Sequence, residues 1–185
     1  SLRALEDIVR AGKVRYIGCS NYSAWQTCEA IWLSKTHGLS SFVSVQPQYN
    51  MLDRSIENEL LPFCSRYGLG ILPYYPLAGG FLTGKYRRDR PAPEGSRLSY
   101  HAWQSGRWLT DQNYHLLEVL ETFAASCGRS MTELAFAWLR SNPHVSSIIA
   151  GATNHQQVES NVQASQWELS SEEKLEVNRL LNEAS

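Results

Sequence analysis

The stretch Gly12-Lys13-Val14-Arg15-Tyr16-Ile17-Gly18-Cys19-Ser20-Asn21-Tyr22 decides the fold. Its glycine stops a helix whose apolar residues Leu2, Leu5, Ile8 and Val9 recur at helical spacing. A short apolar run, Val14 to Ile17, follows and gives way to the polar cluster Cys19-Ser20-Asn21. Ser23 then caps a new helix with Ala24, Cys28, Ile31 and Trp32 as its apolar positions. A short run with a polar end and a capped helix behind it is the repeating unit of a parallel sheet.

The unit recurs along the chain. Phe42-Val43-Ser44-Val45 ends in Gln46-Pro47-Gln48, ahead of a helix with Ile56, Leu60, Phe63, Cys64 and Tyr67 on one stripe, kinked or begun near Pro62. A third run, Gly70 to Tyr74, ends at Tyr75-Pro76-Leu77, and a fourth, Val145 to Ala150, leads into Asn154-x-x-Gln157 as a capped helix start. Between them, residues 78–110 are rich in Gly, Arg and Pro and read as a long loop that covers a ligand. Helices resume near Asp111 and, behind the capping box Ser130-x-x-Glu133, run to the stop at Pro143; Ser170-x-x-Glu173 caps a last one. Four strand–helix units with right-handed crossovers are half of an eight-unit (β/α)8 barrel, which typically needs about 250 residues. Residues 1–185 are therefore expected to be one α/β domain, the last four units of a TIM-type barrel with extra C-terminal helices. The open doubly wound sheet is the competitor, but no Gly-x-Gly-x-x-Gly turn follows any strand.

Composition narrows the function. With 185 residues, 43% hydrophobic and 19% charged, and a net charge of -1, the chain suits a globular protein with one core. The neutral balance argues against a nucleic-acid partner, and no apolar run nears the roughly 20 residues of a membrane helix. Cys19, Cys28, Cys64 and Cys127 form no Cys-x-x-Cys pair, so reduced thiols and a cytoplasmic location are expected. The five histidines show no i, i+4 pairing, and no metal site is expected. The pattern of a signal peptide is absent, and the start at Ser1 rather than Met leaves room for an upstream segment.

The chemistry gathers just past the strand ends, at Ser20 and Asn21, Gln46, Tyr74 to Leu77, and Gly151 to Asn154. In a parallel barrel these ends open on one face, where ligands bind. Ser, Asn and Gln suit a planar carboxamide, an aromatic ring offers a stacking face, a Gly-rich loop with a Lys suits a pyrophosphate, and a capped helix start suits a further phosphate or sugar. Each residue also has a plainer use. Ser20 and Asn21 can be a turn, Gln46 a strand-end partner, Tyr74 core, Lys85 a solvated lysine, and Asn154 and Gln157 helix caps. The tryptophans, Trp32 and Trp138 among them, read as core or interface, and Arg87, Arg88 and Arg90 as solvated loop.

The Gly12 to Tyr22 stretch, together with Val45-Gln46-Pro47-Gln48-Tyr49-Asn50, Tyr75-Pro76-Leu77-Ala78-Gly79-Gly80, Gly84-Lys85-Tyr86 and Ile149 to Asn161, resembles the aldo-keto reductases over essentially the whole chain. The extended Gly-Lys-Tyr loop is similar to that of bacterial general reductases and potassium-channel β subunits. The resemblance implies NADPH-dependent reduction of small aldehydes and ketones, with NADP(H) favoured modestly over NAD(H). It implies that Ser20, Asn21 and Gln46 bind the nicotinamide carboxamide and that Tyr74 stacks on its ring. The backbone of Tyr75, Leu77 and Gly79 lines the pyrophosphate, with Lys85 and Arg97 supplying charge. Gly151, Asn154, Gln157 and Asn161 face the adenosine end. Gly151, Gln157 and Ser160 replace a Lys, an Arg and a Glu common in relatives. The family's catalytic Asp, Tyr, Lys and His fall before Ser1, so no catalytic residue is assigned. A chain of this kind is expected to be inactive alone and to self-associate or pair with an N-terminal half. The alternative is a non-enzymatic dinucleotide-binding or regulatory subunit of the channel-β type.

A rival motif, Gly79 to Lys85, matches the Gly-x-x-x-x-Gly-Lys of nucleotide triphosphatases. Tyr86 stands where Ser or Thr would hold magnesium, and no amphipathic helix follows, which rules it out.

Overall fold

The computed structural model describes residues 1–183, which form two compact units. The first comprises Ser1–Tyr49, Arg54–Tyr74 and Pro143–Ser147. Its elements run α1 (Leu2–Arg10), β1 (Ile17–Ser20), α2 (Ala24–Thr36), β2 (Phe42–Gln46), a 3-10 turn (Ser55–Glu57), α3 (Leu60–Tyr67) and β3 (Gly70–Ile71). The strands make one parallel sheet in the order β1-β2-β3. Ile17, Ala30 and Phe42 form a core into which Leu2, Leu5, Val9 and Cys19 pack. α2 starts on a full capping box, Ser23 with Gln26. Gly12 has a φ of 68°, a left-handed conformation in which glycine is unstrained, and so ends α1 as its sequence position requires.

Three details of this unit depart from the sequence reading. β1 begins at Ile17, not Val14, because Tyr16 is 75% exposed and the first rung to β2 pairs Ile17 with Phe42. The buried stripe of α2 is Ala24, Thr27, Ala30, Ile31 and Ser34, which leaves Trp32 53% exposed rather than in the core. The run Val145 to Ala150 makes no fourth strand. It contributes one bridge, Val145 to Ile71, with the Ile71 amide donating to the His144 carbonyl (2.8 Å) and the Ser146 amide donating to the Ile71 carbonyl (2.9 Å). The next rung on that edge needs an amide proton from residue 73, which is Pro73, so the ladder stops.

The second unit comprises Asn50–Asp53, Tyr75–Asn142 and the chain from Ile148 onward. It holds a 3-10 segment (Ala78–Thr83), α4 (Arg97–Tyr100), α5 (Ala102–Trp108), α6 (Asp111–Ser126), α7 (Met131–Arg140), α8 (His155–Ala164) and α9 (Ser171–Glu183). α7 is the centre of this unit: from Leu134 to Leu139 every side chain is buried, and Ser130 with Glu133 closes its capping box. The Glu133 carboxyl is held below its ordinary range, chiefly by the backbone amide of Ser130. α8 packs on α7, and α9 packs on α6 with Val177 and Leu181 as its buried residues. Residues 78–110 thus hold a 3-10 segment and the short helices α4 and α5, with an irregular stretch over 84–96. Trp108 is buried and anchors α5, and Arg107 pairs with Asp53 at 2.6 Å. Arg87 and Arg88 are not simply solvated, since they pair with Glu121 (2.6 Å) and Asp111 (2.8 Å). Among the tryptophans, Trp108, Trp138 and Trp167 are core, while Trp25, Trp32 and Trp103 lie at the surface.

Candidate functional site

In the first unit the parallel register sets Ser20 opposite Gln46 at the C-terminal ends of β1 and β2. The Ser20 hydroxyl donates to the Gln46 carbonyl (2.8 Å), and the Asn21 amide donates to the same oxygen (3.2 Å). Asn21 turns the chain there at a φ of 58°, a conformation that asparagine tolerates better than most residues. The Tyr74 hydroxyl donates to Asn21 Oδ1 at 2.9 Å, and the Tyr74 backbone amide donates to the Pro47 carbonyl at 3.0 Å. Four residues from three segments therefore meet at one end of the sheet, with Ser20 and Asn21 exposed and Gln46 and Tyr74 half-buried. Hydroxyl and amide groups beside an aromatic ring can hold a planar carboxamide by edge and face. Cys19 lies next to Ser20. Burial raises its thiol, as it raises Cys64 to about 11, so neither is a thiolate near neutrality.

In the second unit Tyr75 begins a sharply coiled turn. Tyr75 (φ 56°), Ala78 (48°), Gly79 (70°) and Gly80 (95°) are all left-handed. A bulky tyrosine in that conformation needs support, and three partners give it. Asn50, fully buried, donates from Nδ2 to the Tyr75 carbonyl (2.9 Å). Its Oδ1 accepts from the amides of Leu52 (2.9 Å) and Asp53 (3.0 Å). Gln104 donates from Nε2 to the Tyr75 hydroxyl (3.0 Å), and the Arg97 guanidinium lies 5.5 Å from the ring centroid. Within the turn, the Ala78 amide donates to the Tyr75 carbonyl and the Gly80 amide to the Leu77 carbonyl. Lys85 is exposed, with Nζ 5.3 Å from the Tyr86 ring centroid and 3.2 Å from where a Cβ on Gly80 would stand. Tyr86 itself is core, its hydroxyl accepting from the Leu98 amide. Bare glycine backbone flanked by a lysine and an arginine fits the oxygens of a phosphate group.

Further along this unit, the Gln157 amide donates to Asn154 Oδ1 (2.9 Å) and caps α8. The Thr153 amide donates to Gln157 Oε1 (2.7 Å), and Asn161 Nδ2 to the Gly151 carbonyl (3.4 Å). Both amide oxygens thus face backbone N–H groups, which turns the NH2 ends of Asn154 and Gln157 outward as donors.

The residues singled out in the sequence fall into these three groups. Asn50 and Gln104 were not singled out. Asn50 sits inside a quoted motif and is a buried polar residue, a signal visible only once burial is known. Gln104 lies in a stretch with no helical pattern to place it. Among the described residues no cluster of three or more His, Cys, Asp or Glu could hold a metal ion, and no helix is long and apolar enough to cross a membrane.

The Aldo/keto reductase family matches over residues 1–182. A protein of Oryza sativa subsp. japonica named probable voltage-gated potassium channel subunit beta is 37% identical over 166 residues, 89% of this chain and 51% of that one. An L-glyceraldehyde 3-phosphate reductase of Escherichia coli (strain K12) is 34% identical over 87% of this chain and 47% of its own length. Aflatoxin B1 aldehyde reductase member 2 of Rattus norvegicus is 31% identical over 90% of this chain and 49% of its own. The chain spans about half the length of the curated relatives it matches.

Proposed function

Because the chain belongs to the aldo/keto reductase family, we propose that it carries the nicotinamide-dinucleotide-binding part of an enzyme that reduces small aldehydes and ketones with NADPH. Ser20, Asn21 and Gln46 hold the nicotinamide carboxamide, and Tyr74 stacks on its ring. The backbone of Tyr75, Leu77 and Gly79, with Lys85 and Arg97, receives the pyrophosphate. Gly151, Asn154, Gln157 and Asn161 face the adenosine end. When bound, the dinucleotide supplies hydride; these residues bind and orient it. The observation that carries this reading is the meeting of Ser20, Asn21, Gln46 and Tyr74 at the strand ends. No lysine or arginine stands at positions 151, 154, 157 or 161, so NADPH is preferred to NADH only a few-fold.

The chain is, in this reading, the later half of a TIM-type barrel, with the Val145 bridge to Ile71 standing where a fourth strand would pair and residues 78–110 covering the cofactor. Its relatives are about twice as long, which supports this. The catalytic acid and its partners lie in the complementary half, and the 185-residue chain binds dinucleotide without turning it over. A second reading, a non-enzymatic dinucleotide-binding subunit of the channel-β type, draws on the name of the Oryza relative and has no more support than the first. One experiment addresses both: titrate NADPH and NADH into the chain, then follow NADPH absorbance with a reactive aldehyde, for this chain and for a form extended at its N-terminus. Binding by both forms and turnover by the extended form alone is the expected result. Absence of binding to the chain would overturn the site, and a binding but inactive extended form would favour the second reading.

A further inference from the structure

Gln104 is an anomaly in the second unit. Its Nε2 donates to the Tyr75 hydroxyl at 3.0 Å, but its Oε1 is buried with no hydrogen-bond partner. Leaving a buried acceptor unpaired is costly, and such groups are few in native proteins. The orphan atom is directed at the glycine turn. A Cβ added to Gly79 would stand 3.1 Å from Leu98 Cδ2, 3.5 Å from Gln104 Oε1 and 3.9 Å from Arg97 Cδ. The Arg97 guanidinium in turn lies over the ring of Tyr75, the residue that Gln104 holds. Another unpaired buried group of this unit, the Ser96 hydroxyl, adjoins Arg97 in the chain. The segment that flanks the turn therefore holds two buried polar atoms without partners, one of them beside Gly79.

The chemistry of the two groups supplies the resolution. A tyrosine hydroxyl both donates and accepts, so the Gln104 amide can turn over without losing Tyr75. The hydroxyl then donates to Oε1, and Nε2 becomes the group aimed at the turn, a donor in search of an acceptor. An anionic oxygen is the acceptor that rewards this exchange most, since hydrogen bonds to charged groups are roughly twice as strong as neutral ones. Resting on the proposed dinucleotide site, we propose that Gln104 is a further ligand-binding residue, whose amide reverses on binding to donate from Nε2 to a phosphate oxygen held at the Gly79 turn. The residue senses phosphate directly, beside the point charges of Arg97 and Lys85, and its unpaired oxygen in the free protein is the strain that binding relieves.

The test uses the whole chain and measures binding rather than turnover. Gln104→Met keeps length and apolar packing but removes both polar atoms. It is expected to weaken NADPH about tenfold, the worth of one hydrogen bond to a charged group. The midpoint of thermal unfolding of the free protein should move little, because the loss of the donor to the Tyr75 hydroxyl is offset by the loss of an unpaired acceptor. Gln104→Glu, which cannot donate when ionised and repels phosphate, should weaken binding further. Equal NADPH affinity in wild type and Gln104→Met would overturn the proposal while leaving the dinucleotide site standing. Wild-type protein that binds no NADPH would remove the site itself and this residue's role with it. Should the Met variant fail to fold, the side-chain amide of Gln104 in wild type is followed by 15N NMR with inorganic pyrophosphate. A resonance that shifts and gains protection from exchange supports the role, and one that is indifferent to pyrophosphate overturns it.

Discussion

Ser20 and Tyr74 reach their partners across 26 and 53 residues of sequence, whereas the side-chain hydrogen bonds that order Asn154, Gln157 and Asn161 span 3, 4 and 10. The strand-end group exists only while β1, β2 and the Tyr74 segment keep their register. The start of α8 is a local motif that folds wherever its own helix folds. Disturbing the sheet should therefore abolish the first group and spare the second, and removing a cap should do the reverse.

The largest effect is expected from Gly18→Val. A Cβ there would stand 2.5 Å from the Ser44 hydroxyl and 2.8 Å from the Ser44 carbonyl oxygen, and backbone cannot move aside as a side-chain tip can. Overpacking at such a site costs about 3 kcal/mol, read as a lower urea midpoint with faster amide exchange at Asn21. A cost under about 1 kcal/mol would mean that the sheet adjusts and that register does not govern the strand-end group.

Asn154→Ala comes next. It removes the acceptor for the Gln157 amide and should cost about 1 kcal/mol, as is usual for an N-cap. Amide exchange at Gln157 and Val158 should quicken while the β1–β2 amides keep their protection. Equal quickening in both places would erase the distinction between local and long-range assembly.

The smallest effect tests long-range order at a place away from the strand-end group. Glu6 on α1 accepts from the Ser40 amide (2.6 Å), 34 residues away, and from Arg10 (2.7 Å). The Ser40 amide above all, with Arg10 assisting, lowers its carboxyl from 4.5 to about 2. A group depressed on folding stabilises the native state above its unfolded pKa, and that contribution fades as pH falls through the folded one. Wild type should thus lose stability between about pH 5 and pH 2, and Glu6→Gln should lose less over that window. Identical pH profiles would show that the Ser40 contact is not maintained in solution.

The same contrast explains what could be read beforehand. The caps at Ser23, Ser130, Asn154 and Ser170 were all legible, because each depends on residues three apart. So were α2, β2 and the break at Gly12. The segments α4 and α5 were missed because they are short and lack an amphipathic repeat. α5 is held by the burial of Trp108 and the Arg107–Asp53 pair, neither visible in a local window. The reading of Val145 to Ala150 as a strand failed on a partner's chemistry, the missing N–H of Pro73 more than seventy residues before it.

The sequence by itself determined the helix caps, the alternation of the first three strands with their helices, the glycines of the turn at Gly79 and Gly80 and the family signature, since all of these are written in neighbouring residues. Tertiary structure alone decided where β1 begins, how far β3 pairs, and which polar side chains are buried. It brought Tyr74 to Asn21, placed Asn50 under the Tyr75 carbonyl, and left Gln104 with one amide end paired and the other unpaired. These outcomes depend on which atoms distant segments present to one another, and no local pattern encodes that.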